Sequence, residues 1–191
     1  MKQHILQSLK MILLMTLLLG VGYPVLMTLV AAVAFPHASS GSVIIKDGKA
    51  IGSELIGQKF EAPKYFHSRP SAIDFQPMPS GGSNYGPTSK QLQEQVRGRR
   101  RSFIVENGLD STTTIVPNDA LFASASGVDP HISPDAAMLQ VMRVGRARGS
   151  DSAGVVTIRN LVRKFTERPQ WGIFGDPRVN VLRLNLALDA Q

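Results

Sequence analysis

Residues 11–35 form an unbroken apolar run without a single charge. As a helix rising about 1.5 Å per residue the run is roughly 37 Å long. A bilayer hydrocarbon core is roughly 30 Å thick, so the run is long enough to span it with some tilt. Within it Thr16, Gly20, Pro24 and Thr28 recur at every fourth position, which strings them along one ridge of the helix. Ridges of small residues let a second helix backbone come close. The run is therefore read as docked against a larger membrane protein, not as an inert anchor. Pro24 removes one backbone hydrogen bond and presses on the carbonyl of the residue four positions earlier. That residue is Gly20, which is small and tolerates a local bend.

Past Phe35 the pattern changes. Residues 36–42 are a breaker-rich linker. In 43–51 two β-prone stretches flank Asp47-Gly48, a pair that accepts the positive φ of a tight hairpin. Residues 52–60 continue as a strand edge leading into a loop. Residues 61–89 carry no helical or strand period and are punctuated by Pro63, Pro70, Pro77, Pro79 and Pro87. Loops of this length are functional or disordered. Tyr65, Phe66, Phe75 and Tyr85 provide something to bury, which argues for order. An ordered recognition loop is expected, with Tyr65, Phe66, His67, Arg69, Gly81, Gly82, Ser83 and Asn84 as its candidate residues.

Residues 91–107 read as a helix capped by Thr88 or Ser89, with Leu92, Val96, Phe103 and Ile104 sharing one face. Arg97, Arg99, Arg100 and Arg101 fall on the remaining, solvated face. A short extended piece follows at 112–116. Ser133-Pro134-Asp135 combines a capping serine, a proline at the first helical position and a first-turn carboxylate. The helix it opens closes at Gly149, and Arg143, Arg146 and Arg148 suit its negative end. A further helix begins at Asp151 or Ser152 and ends before Pro169, with Val155, Ile158, Leu161, Val162 and Phe165 as its apolar face. In 179–188 the alternation of Leu182, Leu184, Leu186 and Leu188 predicts a buried strand. The fold class is an α+β external domain behind a single N-terminal transmembrane helix.

Charge sets the expected topology. Lys2 and Lys10 precede the run, no acidic residue does, and the next charge is Lys46. The positive-inside rule then holds residues 1–10 in the cytoplasm as a short N-terminus, makes 11–35 the span and 36–42 a linker, and sends 43–191 across the membrane. A cleaved signal peptide also starts with Lys and ends on a small-x-small pattern, here Ala32-Val33-Ala34. The run exceeds the usual apolar region of about 7–15 residues, however, and Pro24 sits in its middle. With no cysteine, disulfides, zinc-thiolate sites and a cysteine nucleophile are excluded. The net charge of +7 favours anionic headgroups or an acidic partner over nucleic acid, for which no interleaved aromatic pattern exists. Membrane lipid is thus an expected neighbour.

Recognisable catalytic patterns are missing. There is no phosphate loop, no dinucleotide glycine fingerprint, no nucleophile elbow and no Ser-x-x-Lys. The histidines show no metal-ligand spacing, so no metal is expected. Ser124, Ser126, His67, His131 and Asp129 could supply a hydrolase triad, which is defined by geometry and not by order. Gly81-Gly82-Ser83-Asn84 could form an anion-binding nest, although a Gly-Gly pair is more commonly a plain turn.

Several stretches together carry a resemblance. They are Gly22-Tyr23-Pro24, Gly52-Ser53-Glu54-Leu55-Ile56-Gly57-Gln58, Tyr65-Phe66-His67-Ser68-Arg69-Pro70-Ser71, Ser80-Gly81-Gly82-Ser83-Asn84, the run 123–134 containing Ser124, Ser126, Gly127 and Asp129, and the ending 179–189. In this order behind one N-terminal span, the chain resembles the C subunit of the potassium-transporting Kdp P-type ATPase, the KdpC family. The resemblance covers nearly the whole chain. It implies a bacterial inner-membrane complex in which a channel-like subunit selects potassium and a P-type subunit hydrolyses ATP. This chain would be the non-catalytic accessory subunit needed for assembly and activity. The family is also described as a catalytic chaperone that raises the ATP affinity of the hydrolysing subunit. With most of the chain outside and no phosphate loop, an indirect effect through the membrane helices is the easier physical route. ATP and potassium would then be met through the complex and not as bound cofactors. The arginine-rich 97–101 stretch departs from a more alanine-rich helix in the family. Two other classes stand beside this one: a stand-alone membrane-tethered periplasmic binding module gripping a solute or wall component with residues 65–85, and an envelope hydrolase using Ser124 or Ser126.

Overall fold

A computed structural model describes residues 1–191. The chain divides into two compact units, Met1–Ser53 and Glu54–Gln191. The first begins with a continuous helical rod, Lys2–Ala34, apolar and long enough to cross a membrane. It consists of α1 (Lys2–Leu17), a π turn at Leu18–Gly22 and α2 (Tyr23–Ala34). Helix therefore also runs through Lys2–Lys10, ahead of the apolar run. A single turn, α3 (Pro36–Ser39), follows. The hairpin is present as β1 (Val43–Lys46) and β2 (Lys49–Ser53), antiparallel, with Lys46 opposite Lys49. Its turn has the positive φ expected, 52° at Asp47 and 73° at Gly48.

The second unit has no helix or strand between Glu54 and Ser89. Then come α4 (Lys90–Asn107), a short α5 (Asn118–Leu121), β3 (His131–Ile132), α6 (Pro134–Ala147), α7 (Ser152–Lys164), β4 (Thr166–Glu167), β5 (Arg178–Asn180) and α8 (Val181–Leu188). Side-chain caps start the longer helices where the sequence placed them. Ser89 accepts from the Leu92 N–H, Ser133 from Ala136 and Asp151 from Gly154. Gly108 ends α4 in the left-handed conformation, φ 63°. The three strands form a small antiparallel sheet, β3-β5-β4, with Ile132 and Thr166 both opposite Val179.

The main core lies where α6, α7 and α8 meet this sheet. Val141, Val144, Val162, Val179, Val181 and Leu184 are fully buried there, and Phe66 joins them from the coil. Removing each such side chain from water contributes about 1.5–3 kcal/mol. A second, smaller cluster joins Ile104 of α4 to Val116 and Leu121.

Two expectations are corrected here. The stretch 179–188 is not a strand: only Arg178–Asn180 pairs, and Val181–Leu188 is helical. The buried set is Val181, Leu182, Leu184, Asn185 and Leu188, a helical spacing, whereas Leu186 is only half-buried. Asn180 opens the helix by accepting from the Arg183 N–H. The arginines of α4 are also not all solvated. Arg99 donates to the Leu121 carbonyl and to Gln95, and Arg100 to the Ser111 carbonyl, so these two bind 110–122 to the helix while Arg97 and Arg101 face outward.

Candidate functional site

In the membrane-span helix, Thr16, Gly20, Pro24 and Thr28 are all exposed along the rod. A Cβ at Gly20 would meet only the Thr16 methyl, at 3.7 Å, so the ridge is open. Thr28 Oγ1 donates to the Pro24 carbonyl at 2.8 Å, satisfying its hydroxyl within the helix. The π turn sits just before Pro24, with the Tyr23 N–H reaching back to the Leu18 carbonyl. In an unbroken α-helix, four residues overshoot a full turn by about 40°. The extra residue of a π turn takes back part of that drift and brings the ridge closer to a straight line. Sequence reading missed this turn, although Gly20-Val21-Gly22 ahead of a proline was its signal.

The second group of predicted residues lies in the coil, which is held by side chains from the helices. Asn185 on α8 grips Phe66: its Oδ1 accepts from the Phe66 N–H at 2.8 Å and its Nδ2 donates to the Phe66 carbonyl at 3.0 Å. Gln140 on α6 does the same for His67, at 2.8 and 3.3 Å. Each amide stands in for a neighbouring strand. Arg143, also on α6 and buried, donates to the carbonyls of Pro63 and Tyr65 and to Asn107 and Gln140. It is a structural hub of the coil and not a solvated partner of the helix dipole. Tyr65 passes its hydroxyl to Asp189 at 2.8 Å, beside an Arg148–Asp189 ion pair of the same length. Of the predicted loop residues, Phe66 is thus core, and Tyr65 and His67 are half-buried.

The remaining motifs close on one another through backbone contacts. Ser124 donates its N–H to the Pro70 carbonyl, Gly81 to Ser126 and Gly57 to Val128. A Cβ on Gly57 would lie 2.5 Å from the Asp129 carbonyl, and one on Gly127 would lie 2.3 Å from the Ile73 side chain, at a φ of 73°. Gly82 packs on the Ala125 backbone with a Cβ position 3.1 Å from its carbonyl. These glycines permit coil to lie against coil. Arg69 completes the junction, with Nη1 2.8 Å from Asp129 Oδ2. Burial opposes ionisation of Asp129, but hydrogen bonds from His131 and Arg69 outweigh it and hold its pKa at about 2. Ser83 is half-buried and Asn84 exposed with φ 53°. Loop 69–82 and motif 124–129, separate in sequence, are therefore one assembly. Gly57 belongs to it, while Gln140, Arg143 and Asn185 hold the adjoining 63–67 coil; none of the four was among the candidate site residues. A lone amide inside Leu184-Asn185-Leu186 was the available signal, because a buried amide must find partners.

The histidines turn to other work than a triad. His67 faces the Ala62 carbonyl, Arg143 at 3.3 Å and Glu106 at 3.7 Å. Burial, with the Arg143 charge beside it, pushes its pKa below the ordinary value. His131 faces Asp129, and Ser126 Oγ accepts from the Val128 N–H. A cavity of about 230 Å³ opens beside His67, walled by Arg99, Phe103, Glu106 and Gln140. No cluster of metal-ligating side chains occurs.

One apolar helix long enough to cross a membrane, followed by an α+β domain whose motifs build scaffold, is the architecture of a membrane-anchored protein. The family model described as K+-transporting ATPase, c chain, matches residues 5–190. The chain is similar to the potassium-transporting ATPase KdpC subunit of Methylococcus capsulatus, 46% identical over 98% of this chain and 97% of that one. It is likewise similar to the KdpC subunits of Cereibacter sphaeroides strain KD131, 45% identical over 100% and 98%, and of Dechloromonas aromatica, 46% over 100% and 98%. The chain belongs to the KdpC family and is a subunit of a potassium-transporting ATPase.

Proposed function

We propose that this chain is the accessory subunit that assembles and steadies the pump, with residues 1–10 in the cytoplasm, 11–35 spanning the bacterial inner membrane and, beyond the 36–42 linker, 43–191 outside. The ridge of Thr16, Gly20, Pro24 and Thr28 is its docking face in the membrane, against a larger membrane protein of the complex, and the potassium-translocating, channel-like subunit is one partner. The ATP-hydrolysing P-type subunit is the second partner. The chain supplies no chemistry of its own. An effect on ATP affinity, of the catalytic-chaperone kind, passes indirectly through the membrane helices. The observation that carries this reading is the open ridge: an exposed run of small residues, straightened by a π turn, on the helix of a transporter subunit. Two further features support it. The coil motifs are spent on holding the domain together, and Lys2 and Lys10 precede the span.

The test is a pair of substitutions in the full complex. Gly20→Leu fills the ridge and should reduce both recovery of the multi-span partners with the tagged chain and potassium-stimulated ATPase activity. Leu18→Ile preserves apolarity off the ridge and should leave both unchanged. Normal insertion with full recovery and activity for Gly20→Leu would show the anchor to be only a tether. Protease added to intact spheroplasts should degrade the region after Phe35, and protection of that region would reverse the topology.

A further inference from the structure

The connection between β4 and β5 ends in a tight tip, Gln170 to Phe174, closed by two backbone hydrogen bonds between those residues at 2.9 and 3.0 Å. The tip presents Trp171, Ile173 and Phe174 to solvent, 89%, 78% and 59% exposed. Trp171 and Phe174 stack edge to face, 5.9 Å between centroids. Nothing accidental keeps them out. Trp171 and Gly172 have φ of 53° and 76°, and the Gly172 and Ile173 N–H groups bond back to the Pro169 and Gln170 carbonyls. A bulky side chain at positive φ is sterically disfavoured, so this backbone is held against a local cost. At the base of the tip, Arg168 and Arg178, both exposed, share a concavity of about 230 Å³ with Phe174 and Asp176. Arg178 also pairs with Glu167 at 3.0 Å. An indole and a phenyl ring ahead of two guanidinium groups is the chemistry of a membrane interface. Aromatic rings favour the headgroup level, and arginine lays its stem along apolar surface while its head reaches phosphate.

We propose that this tip is a lipid-binding finger that seats Trp171, Ile173 and Phe174 at the acyl boundary of an anionic phospholipid bilayer, with Arg168 and Arg178 on the phosphates. The occupant follows from the chain itself, since its own apolar helix keeps this domain tethered to a bilayer. The arginines complement anionic headgroups. The inference goes beyond the choice of partner subunits and needs only membrane anchoring, so it can fail while the docking ridge stands, and the reverse.

Trp171 is the sole tryptophan of the chain, so its fluorescence reports on the tip alone. The full chain is reconstituted into liposomes of phosphatidylcholine with or without phosphatidylglycerol, using lipids brominated near the headgroup end of the acyl chains. The expected result is blue-shifted emission and loss of most of the intensity to bromine, stronger with phosphatidylglycerol. Arg168→Gln with Arg178→Gln retains the fluorophore and should remove the phosphatidylglycerol dependence. Emission typical of water, with no quenching in either lipid, would overturn the proposal. So would a photoreactive benzoyl-phenylalanine in place of Trp171 that couples exclusively to another protein in native membranes, since that would make the tip a protein contact.

Discussion

Asn185 and Phe66, far apart in sequence, face each other as if they were paired strand residues, the side-chain amide of one satisfying both backbone groups of the other. Both are buried, so no water can replace either bond. Asn185→Leu keeps the volume and strands an N–H and a C=O in the core, at a cost of about 2–4 kcal/mol. Thermal or urea unfolding of the full chain in detergent should show a loss of that order. Asn185→Asp keeps the acceptor but loses the donor and buries a charge, and it should be no better tolerated.

Glycine substitutions should split by sign. At Gly127 a Cβ would strike Ile73 and the Gly81 carbonyl in a left-handed backbone, so Gly127→Ala should destabilise by about 2–3 kcal/mol. Ile73→Ala in the same chain should recover only the side-chain part. Gly98, inside α4, has nothing within 4 Å of its Cβ position. Gly98→Ala should therefore stabilise by about 0.5–1 kcal/mol. Melting temperatures of the two variants on opposite sides of the parent are the check.

Arg143→Lys keeps the charge and loses the fork. One ammonium cannot reach Asn107, Gln140 and the Pro63 and Tyr65 carbonyls together. A loss of about 2–3 kcal/mol is expected. Hydrogen exchange should show it locally, as faster exchange of the Phe66 and His67 amides.

Stability should fall in two steps on acidification. His67 has a folded pKa below its ordinary 6.5, because burial and Arg143 disfavour its cation. The unfolded chain then binds the proton first, and stability present above 6.5 declines as pH falls through that value. Asp129 is lowered from 3.8 to about 2, so its contribution is present above 3.8 and is lost as pH falls toward about 2. Partial exposure limits that contribution to on the order of 1–2 kcal/mol. His67→Gln should flatten the upper step and Asp129→Asn the lower one in a pH series of melting temperatures.

Local signals were well written in the sequence. Ser89, Ser133 and Asp151 sit where their helices start, and Asp47-Gly48 turns the hairpin, because caps and turns depend on neighbours in the chain. What escaped was tertiary. The alternating leucines after Val181 carry a strand period by coincidence, and burial of Asn185 selects the helix. Arg143 and Gln140 look like ordinary helix residues until the coil they hold is known. Gly82 reads as a nest or a plain turn, and Gly57 and Gly127 only as motif members, whereas close approach of neighbouring chain is what all three permit. The motif residues were visible, but what each one touches was not.

The π turn at Leu18–Gly22 has a consequence for the length of the span. A π turn is a helix carrying one residue more than its neighbours need. Anywhere else in the rod, loss of one residue would rotate everything beyond it by about 100° and split the proposed docking face between two directions. At the π turn the slack can be taken up, and the faces on either side stay in phase. The anchor thus holds an adjustable link beside its proline, where a change in length is tolerated without a change in direction.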